Sequence, residues 1–137
     1  MVDRERVIRL LAGIDGDRQA LSRWAGKALE ELDVTALDAI KYRFVTAIEG
    51  CARVAHHLAI SEAWGVPETN AEAIEELGRR GVVPPGLADG LAEAVRFRNV
   101  LVHQYAEVED QRVVENLDRL DDFADFVREV GGWLPDA

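Results

Sequence analysis

Apolar residues recur every three to four positions along almost the whole chain, the spacing that buries one face of an α-helix. No segment alternates apolar and polar residues in the way typical of a half-buried β-strand. The pattern predicts an all-α, up-down helical bundle of four main helices plus one short helix, in a single domain spanning residues 1–137. The predicted helices cover residues 3–32, 35 to about 64, 69 to about 80, 84 to about 103, and 110–130.

Capping signals set the predicted helix boundaries. Thr35-x-x-Asp38 is typical of a capping box, in which each side chain accepts a hydrogen bond from the other residue's backbone N–H group. Thr69-x-x-Glu72 repeats that spacing at the start of the short helix. Further boundary signals are Arg79-Arg80-Gly81, Pro84-Pro85 and Gly131-Gly132, with the last glycine pair expected to end the final helix.

Composition narrows the class of protein. Of the 137 residues, 48 % are apolar, so a core of ordinary size can form without a disulfide or a metal. The single cysteine, Cys51, excludes an intramolecular disulfide, and the N-terminus is charged from residue 3, so we expect a cytoplasmic protein. No segment has the roughly 20 apolar residues that a membrane span needs, so no membrane partner is expected.

The formal net charge of −10 argues against a broad basic surface for nucleic acid. Any contact with RNA must therefore be local, through a small groove lined by arginines.

The fourth predicted helix carries an arginine on its apolar face. On a helical wheel Arg98 falls about 20° from the centre of the stripe formed by Leu87, Leu91, Ala94, Leu101 and Val102. Because a buried unpaired charge is very costly, Arg98 must meet a carboxylate, reach a groove or face a second subunit. An ion pair with Asp118 or Asp122 of the last predicted helix would make its role purely structural.

The residues that follow Arg98 resemble a known motif. The segment Arg98-Asn99-Val100-Leu101-Val102-His103-Gln104-Tyr105 resembles the R-x4-H-x-Y motif of the HepT-like toxins, small all-helical ribonucleases of the HEPN superfamily. The resemblance covers nearly the whole chain, including Lys41-Tyr42-Arg43-Phe44, Ala47-Ile48-Glu49, His56-His57 and Leu120-Asp121-Asp122-Phe123.

The resemblance implies a metal-independent endoribonuclease toxin of a type VII toxin–antitoxin system, with no cofactor. It implies that Arg98 and His103 are catalytic, that Asn99 supports them, and that Tyr105 is the residue to which the antitoxin transfers AMP. Imidazole suits proton transfer near neutral pH, and guanidinium suits the charge of a phosphorane. The implied partners are an RNA substrate, a second copy in a homodimer whose cleft joins two motifs, and an MntA-type nucleotidyltransferase antitoxin.

Two other hypotheses stay open from the sequence. One is a catalytically silent HEPN-like module that only binds a nucleotidyltransferase, and the other is a helical bundle without a site, which a closed ion pair at Arg98 would favour. His56 and His57 point about 100° apart on a helix, so they do not suit one metal ion, and we expect a polar surface rather than the rim of a cleft. Cys51 is expected in the core, and Asp118, Asp121, Asp122 and Asp125 are expected to form a solvated face.

Overall fold

The computed structural model describes residues 1–103 and 110–135, with the side chains of residues 102 and 103 outside that description. It confirms the all-α bundle, since the described residues contain helices and no strand. The helices are α1 (Arg4–Ser22), α2 (Val34–Ser61), α3 (Asn70–Arg79), α4 (Pro85–His103), α5 (Asp110–Asn116) and α6 (Asp121–Trp133), with short 3-10 helices at Leu29–Glu31 and Leu117–Arg119.

Helix α2 lies at the centre of the bundle, where it contacts α1, α3 and α4. Its buried side chains include Ile40, Phe44, Val54 and Leu58, each at most 2 % exposed. The ring of Phe44 contacts the rings of Phe97 on α4 and Phe123 on α6, which ties three helices together. No helix in the described ranges is long and apolar enough to cross a membrane.

The first two helix boundaries differ from the prediction. Helix α1 ends at Ser22 rather than near residue 32, because Gly26 adopts φ +80° and turns the chain away. Helix α2 begins one residue after Asp33, whose Oδ1 accepts a hydrogen bond from the backbone N–H of Ala36 at 2.8 Å. The predicted capping box at Thr35 is therefore wrong, since the nearby Asp33 already caps the helix.

The boundaries of the short helix α3 are confirmed. The Thr69 hydroxyl accepts from the backbone N–H of Glu72 at 3.1 Å, while the Glu72 carboxylate accepts from the N–H of Glu68. Gly81 closes the helix in the left-handed region, at φ +75°. Helix α4 then starts at Pro85, as predicted, and the Pro84 carbonyl accepts from Ala88 N–H at 3.1 Å.

The last predicted helix is broken, and it does not end at its glycines. The 3-10 segment Leu117–Arg119 separates α5 from α6, and Leu117 within it and Leu120 and Phe123 after it are all buried. Helix α6 runs through Gly131 and Gly132 to Trp133. The Trp133 ring packs against Trp64 at 6.2 Å and Leu134 is 6 % exposed, so packing outweighs a glycine penalty of about 1 kcal/mol each.

Candidate functional site

Arg98 lies where α4 packs against α2. Its side chain is 19 % exposed. One terminal nitrogen, Nη2, donates to Oε1 of Glu49 on α2, and the other, Nη1, donates to Oδ1 of Asn99 at 3.1 Å. The third nitrogen, Nε, is buried and has no hydrogen-bond partner among the described atoms.

The ion pair of Arg98 with Asp118 or Asp122, which the sequence left open as the structural alternative, does not form. Asp122 forms its ion pair with Arg119 at 3.6 Å. Asp118 is exposed at the 3-10 segment before α6. Arg98 is directed toward α2 rather than α6, so the acidic partner comes from the centre of the bundle.

The Arg98–Glu49 pair opens into a cleft of about 670 Å³, which we call the Arg98 cleft. It is formed by Met1 and the first turn of α1, the second half of α2, the start of α3 and the C-terminal third of α4. The cleft is open to solvent, and the Glu49 side chain within it is 33 % exposed. The polar side chains that line it belong to Arg6, Glu49, Arg53, His56, His57, Ser61, Asn70 and Arg98.

Two histidines that the sequence favoured as surface residues line this cleft. His56 Nε2 lies 2.9 Å from Oδ1 of Asn70, the first residue of α3. Glu49, Arg53 and His56 are spaced i, i+4 and i+7, so a wheel drawn for α2 would have placed them on one face. Without knowing that this face meets Arg98, however, the pattern indicates only a polar stripe.

The neighbouring His57 is held as a neutral base. Its Nε2 accepts a hydrogen bond from the backbone N–H of Asp3 at 3.0 Å. Burial lowers the pKa of His57, and the positive charges of Arg6 and of the N-terminal amine lower it further, against an opposing effect of Asp3. This imidazole therefore fastens the N-terminal segment to α2 at the wall of the cleft.

The other motif residues are only partly described. Asn99 is exposed on α4 and accepts a hydrogen bond from Arg98, and its supporting role stays a prediction. His103 is the last residue of α4, but its side chain lies outside the described residues, and so does the whole of Tyr105. The convergence of Arg98 and His103 in one site remains a prediction.

Cys51 occupies the core, as predicted. It is 0 % exposed, and burial raises the pKa of its thiol far above the usual range, so the reactive thiolate is suppressed. Within residues 1–103 and 110–135, no three histidine, cysteine or acidic side chains form a group suited to a metal ion.

Comparison with known proteins agrees with the helical fold. The family model described as ribonuclease HepT-like matches residues 18–130, which is most of the chain. This protein therefore belongs to the ribonuclease HepT-like family.

Two curated relatives carry nuclease names. The chain is 27 % identical over 96 residues to the mRNA nuclease HepT of Shewanella oneidensis, covering 69 % of this chain and 72 % of that protein. It is 32 % identical over 71 residues to the tRNA nuclease HepT of Aphanizomenon flos-aquae, covering 51 % of this chain and 48 % of that protein.

Solved structures share the fold at lower identity. A tri-AMPylated HEPN toxin from Shewanella oneidensis, in complex with its MNT antitoxin, superposes with a TM-score of 0.85 at 24 % identity, covering 96 % of this chain and 99 % of that one. YutE, a cytosolic protein of unknown function from Bacillus subtilis, superposes with a TM-score of 0.85 at 16 % identity, covering 99 % of this chain and 96 % of that one. At these identities the likeness establishes the helical fold.

Proposed function

We propose that this protein is the endoribonuclease toxin of a toxin–antitoxin pair, and that it cuts RNA without a metal by means of Arg98 and His103. The observation that carries the proposal is the partly satisfied guanidinium of Arg98, which lies at an open cleft and has one nitrogen without a hydrogen-bond partner among the described residues. Family membership and the nuclease names of two relatives support the same class of activity.

The chemistry uses a nucleophile that RNA itself contains. His103 removes the proton from the 2′-OH beside the scissile phosphate, and the 2′-oxygen attacks phosphorus as the bond to the 5′-oxygen breaks. The 5′-oxygen takes a proton from water as it leaves, and His103 gives the proton it accepted back to solvent, so the products are a 2′,3′-cyclic phosphate and a 5′-OH end. Arg98 stabilises the negative charge that develops on the phosphorane oxygens, a task suited to its fixed pattern of donors.

Glu49 and Asn99 have positioning roles in this scheme. Their oxygen atoms accept hydrogen bonds from the two terminal nitrogens of Arg98, which fixes the plane of the guanidinium before RNA arrives. A phosphate entering the cleft competes with Glu49 for the same donors. Since the Glu49 carboxylate is one-third exposed, water can solvate it when Arg98 turns toward the phosphate.

The proposed assembly is a homodimer in complex with an MntA-type nucleotidyltransferase. In a regular helix His103 points about 140° away from Arg98, so two motifs facing each other across a two-fold axis would bring an arginine and a histidine together. The antitoxin transfers AMP to Tyr105, and the added negative charge and adenosine then block the cleft. The solved complex of the AMPylated Shewanella oneidensis toxin with its antitoxin supports this part of the proposal.

A second candidate function is a catalytically silent module that binds the nucleotidyltransferase. The intramolecular Arg98–Glu49 pair favours it, because a satisfied ion pair between two helices is what a structural arginine forms. The exposed carboxylate and the open cleft distinguish this pair from the closed one that a siteless bundle would require.

The deciding experiment compares purified wild type with His103→Ala on bulk RNA, with and without EDTA, together with growth of cells expressing each protein. We expect cleavage that survives EDTA, leaves 2′,3′-cyclic phosphate ends, and falls by roughly 10²–10⁴-fold in the variant. Equal cleavage by both proteins would overturn the role of His103, and inhibition by EDTA would overturn the metal-independent mechanism. A folded wild type that cuts no RNA but binds the nucleotidyltransferase would establish the silent module.

A further inference from the structure

A second groove extends from the Arg98 cleft along the seam between α1 and α2. This α1–α2 groove has a volume of about 550 Å³, and Glu49 and Arg53 line both it and the Arg98 cleft. The two depressions are therefore continuous at α2. From Tyr42 at one limit of the groove to Arg53 at the shared wall, α2 advances by about 16 Å, enough for a few nucleotides of an extended strand.

The groove and the cleft carry a charge opposite to that of the chain. Together they are lined by two acidic side chains, Asp17 and Glu49, and by five arginines: Arg6, Arg9, Arg43, Arg53 and Arg98. The whole chain has a formal net charge of −10. In a protein with an excess of acidic residues, arginine side chains are thus concentrated along one continuous surface. Such a surface attracts an anionic polymer locally.

Two of the three arginines that line the α1–α2 groove are available to a ligand. Arg43 is held by Asp17 at 2.9 Å, and Asp17 also accepts from the Thr46 hydroxyl, so this pair forms part of the wall. Arg9 and Arg53 are exposed and form no ion pair with any residue in the described ranges. Each can place a guanidinium against a phosphate without breaking a contact described in the fold.

The surfaces around these arginines suit a nucleotide. Tyr42 is 65 % exposed at the edge of the groove, which leaves its ring face open for stacking. On α1, Gly13 and Gly16 border the groove, and a Cβ added at either would meet no atom within 4 Å. Because these two glycines have no side chain, a single strand of nucleic acid has room to lie close to α1.

We propose that the α1–α2 groove binds the single-stranded RNA that continues from the Arg98 cleft, with Arg9 and Arg53 on phosphates and Tyr42 stacked on a base. The inference rests on the proposed ribonuclease function and adds the path of the substrate. An exposed aromatic ring that lines the same groove as arginines without an ion pair in the described ranges is the combination that binds single strands without sequence preference. An acidic protein segment would use the arginines but would leave the aromatic ring without a role.

The test measures binding rather than cutting, with a fluorescent 12-nucleotide RNA whose riboses are all 2′-O-methylated, so that it offers no nucleophile. Anisotropy titrations of the full chain would compare Arg9→Glu, Gly13→Glu and Tyr42→Ala with wild type at low salt. We expect each to weaken binding by about tenfold or more. The matched control is Arg128→Glu, which makes the same charge reversal at an exposed position of α6, away from the groove. We expect this control to change the affinity for RNA less than about threefold.

The salt dependence gives a second readout. Arg9→Gln, which removes one phosphate contact, should reduce the slope of log K against log salt by about 0.7. Binding of all groove variants with wild-type affinity would overturn the proposal even if the enzyme cleaves RNA. Groove variants that change the dimer–monomer ratio or the binding of a polyglutamate peptide, while RNA affinity stays constant, would assign the surface to a protein partner. Groove-dependent binding in a wild type that cuts no RNA would support the path and overturn only the proposed cleavage.

Discussion

The guanidinium of Arg98 on α4 donates a hydrogen bond to the carboxylate of Glu49 on α2, which joins residues 49 positions apart in the chain. Glu49 belongs to the central helix and Arg98 to α4, so the pair sets how α4 meets the cleft at Arg98. The pair is also accessible enough for a phosphate to replace Glu49 as the partner of Arg98, since the Arg98 side chain is 19 % exposed and that of Glu49 is 33 % exposed.

The first prediction concerns this pair. Arg98→Ala should lower kcat for RNA cleavage by roughly 10²–10³-fold, the usual effect of removing one donor to a developing oxyanion. Glu49→Gln should stay within about tenfold of wild type because it keeps an acceptor for Arg98, whereas Glu49→Ala should lose more than tenfold in kcat. Single-turnover cleavage of a labelled RNA measures the effect of all three substitutions. A Glu49→Ala variant as fast as wild type would show that Arg98 needs no positioning.

The second prediction concerns Tyr105, which lies outside the described residues. Co-expression with the cognate nucleotidyltransferase should add one or more AMP masses to the intact chain, because the family resemblance designates the tyrosine of the motif as the residue that accepts AMP. The increase should be absent in Tyr105→Phe and retained in Tyr42→Phe, which removes the only other tyrosine hydroxyl. An unmodified but fully inhibited toxin would mean that the antitoxin acts by binding alone.

The third prediction is a pH dependence of stability from His57. Its pKa is lowered in the folded protein, so below about pH 6.5 the unfolded chain binds this proton more readily. Its contribution is therefore present above the unfolded pKa and is lost as the pH falls below it. Urea melts at pH 8 and pH 5 should show a larger loss of stability in wild type than in His57→Gln, and equal losses would contradict the assignment.

The fourth prediction contrasts two glycines in helices. A Cβ at Gly78 on α3 would lie 2.7 Å from the Cβ of Ala88 on α4, so Gly78→Ala should destabilise the fold by about 1–3 kcal/mol. Gly13→Ala on α1 meets no atom and should stabilise it by about 0.5–1 kcal/mol through helix propensity. Chemical denaturation measures both changes, and a neutral Gly78→Ala would show that α3 and α4 can separate without cost.

Several features of this protein follow from the sequence because they depend on neighbouring residues. The 3.6-residue period predicted an all-helical chain, and the Thr69 cap, the Gly81 turn and the Pro85 start were predicted correctly since each involves atoms within four or five positions. The resemblance at residues 98–105 indicated the family before any packing was known.

Other features were decided by tertiary packing. Helix α6 continues through two glycines because Leu134 is buried and the partly buried ring of Trp133 packs against Trp64, about 70 residues away in the chain. The choice of neighbouring helices decides these contacts. Arg98 pairs with Glu49 rather than with the acidic residues of α6 because α4 packs against α2 at this point, and His56 contacts Asn70 because α2 packs against α3. The spacing of apolar residues predicts that a helix has a buried face, but it does not predict which neighbouring helix covers that face. Long-range side-chain partners are therefore fixed only when the whole core closes, since the free energy that selects them comes from burial shared by all the helices.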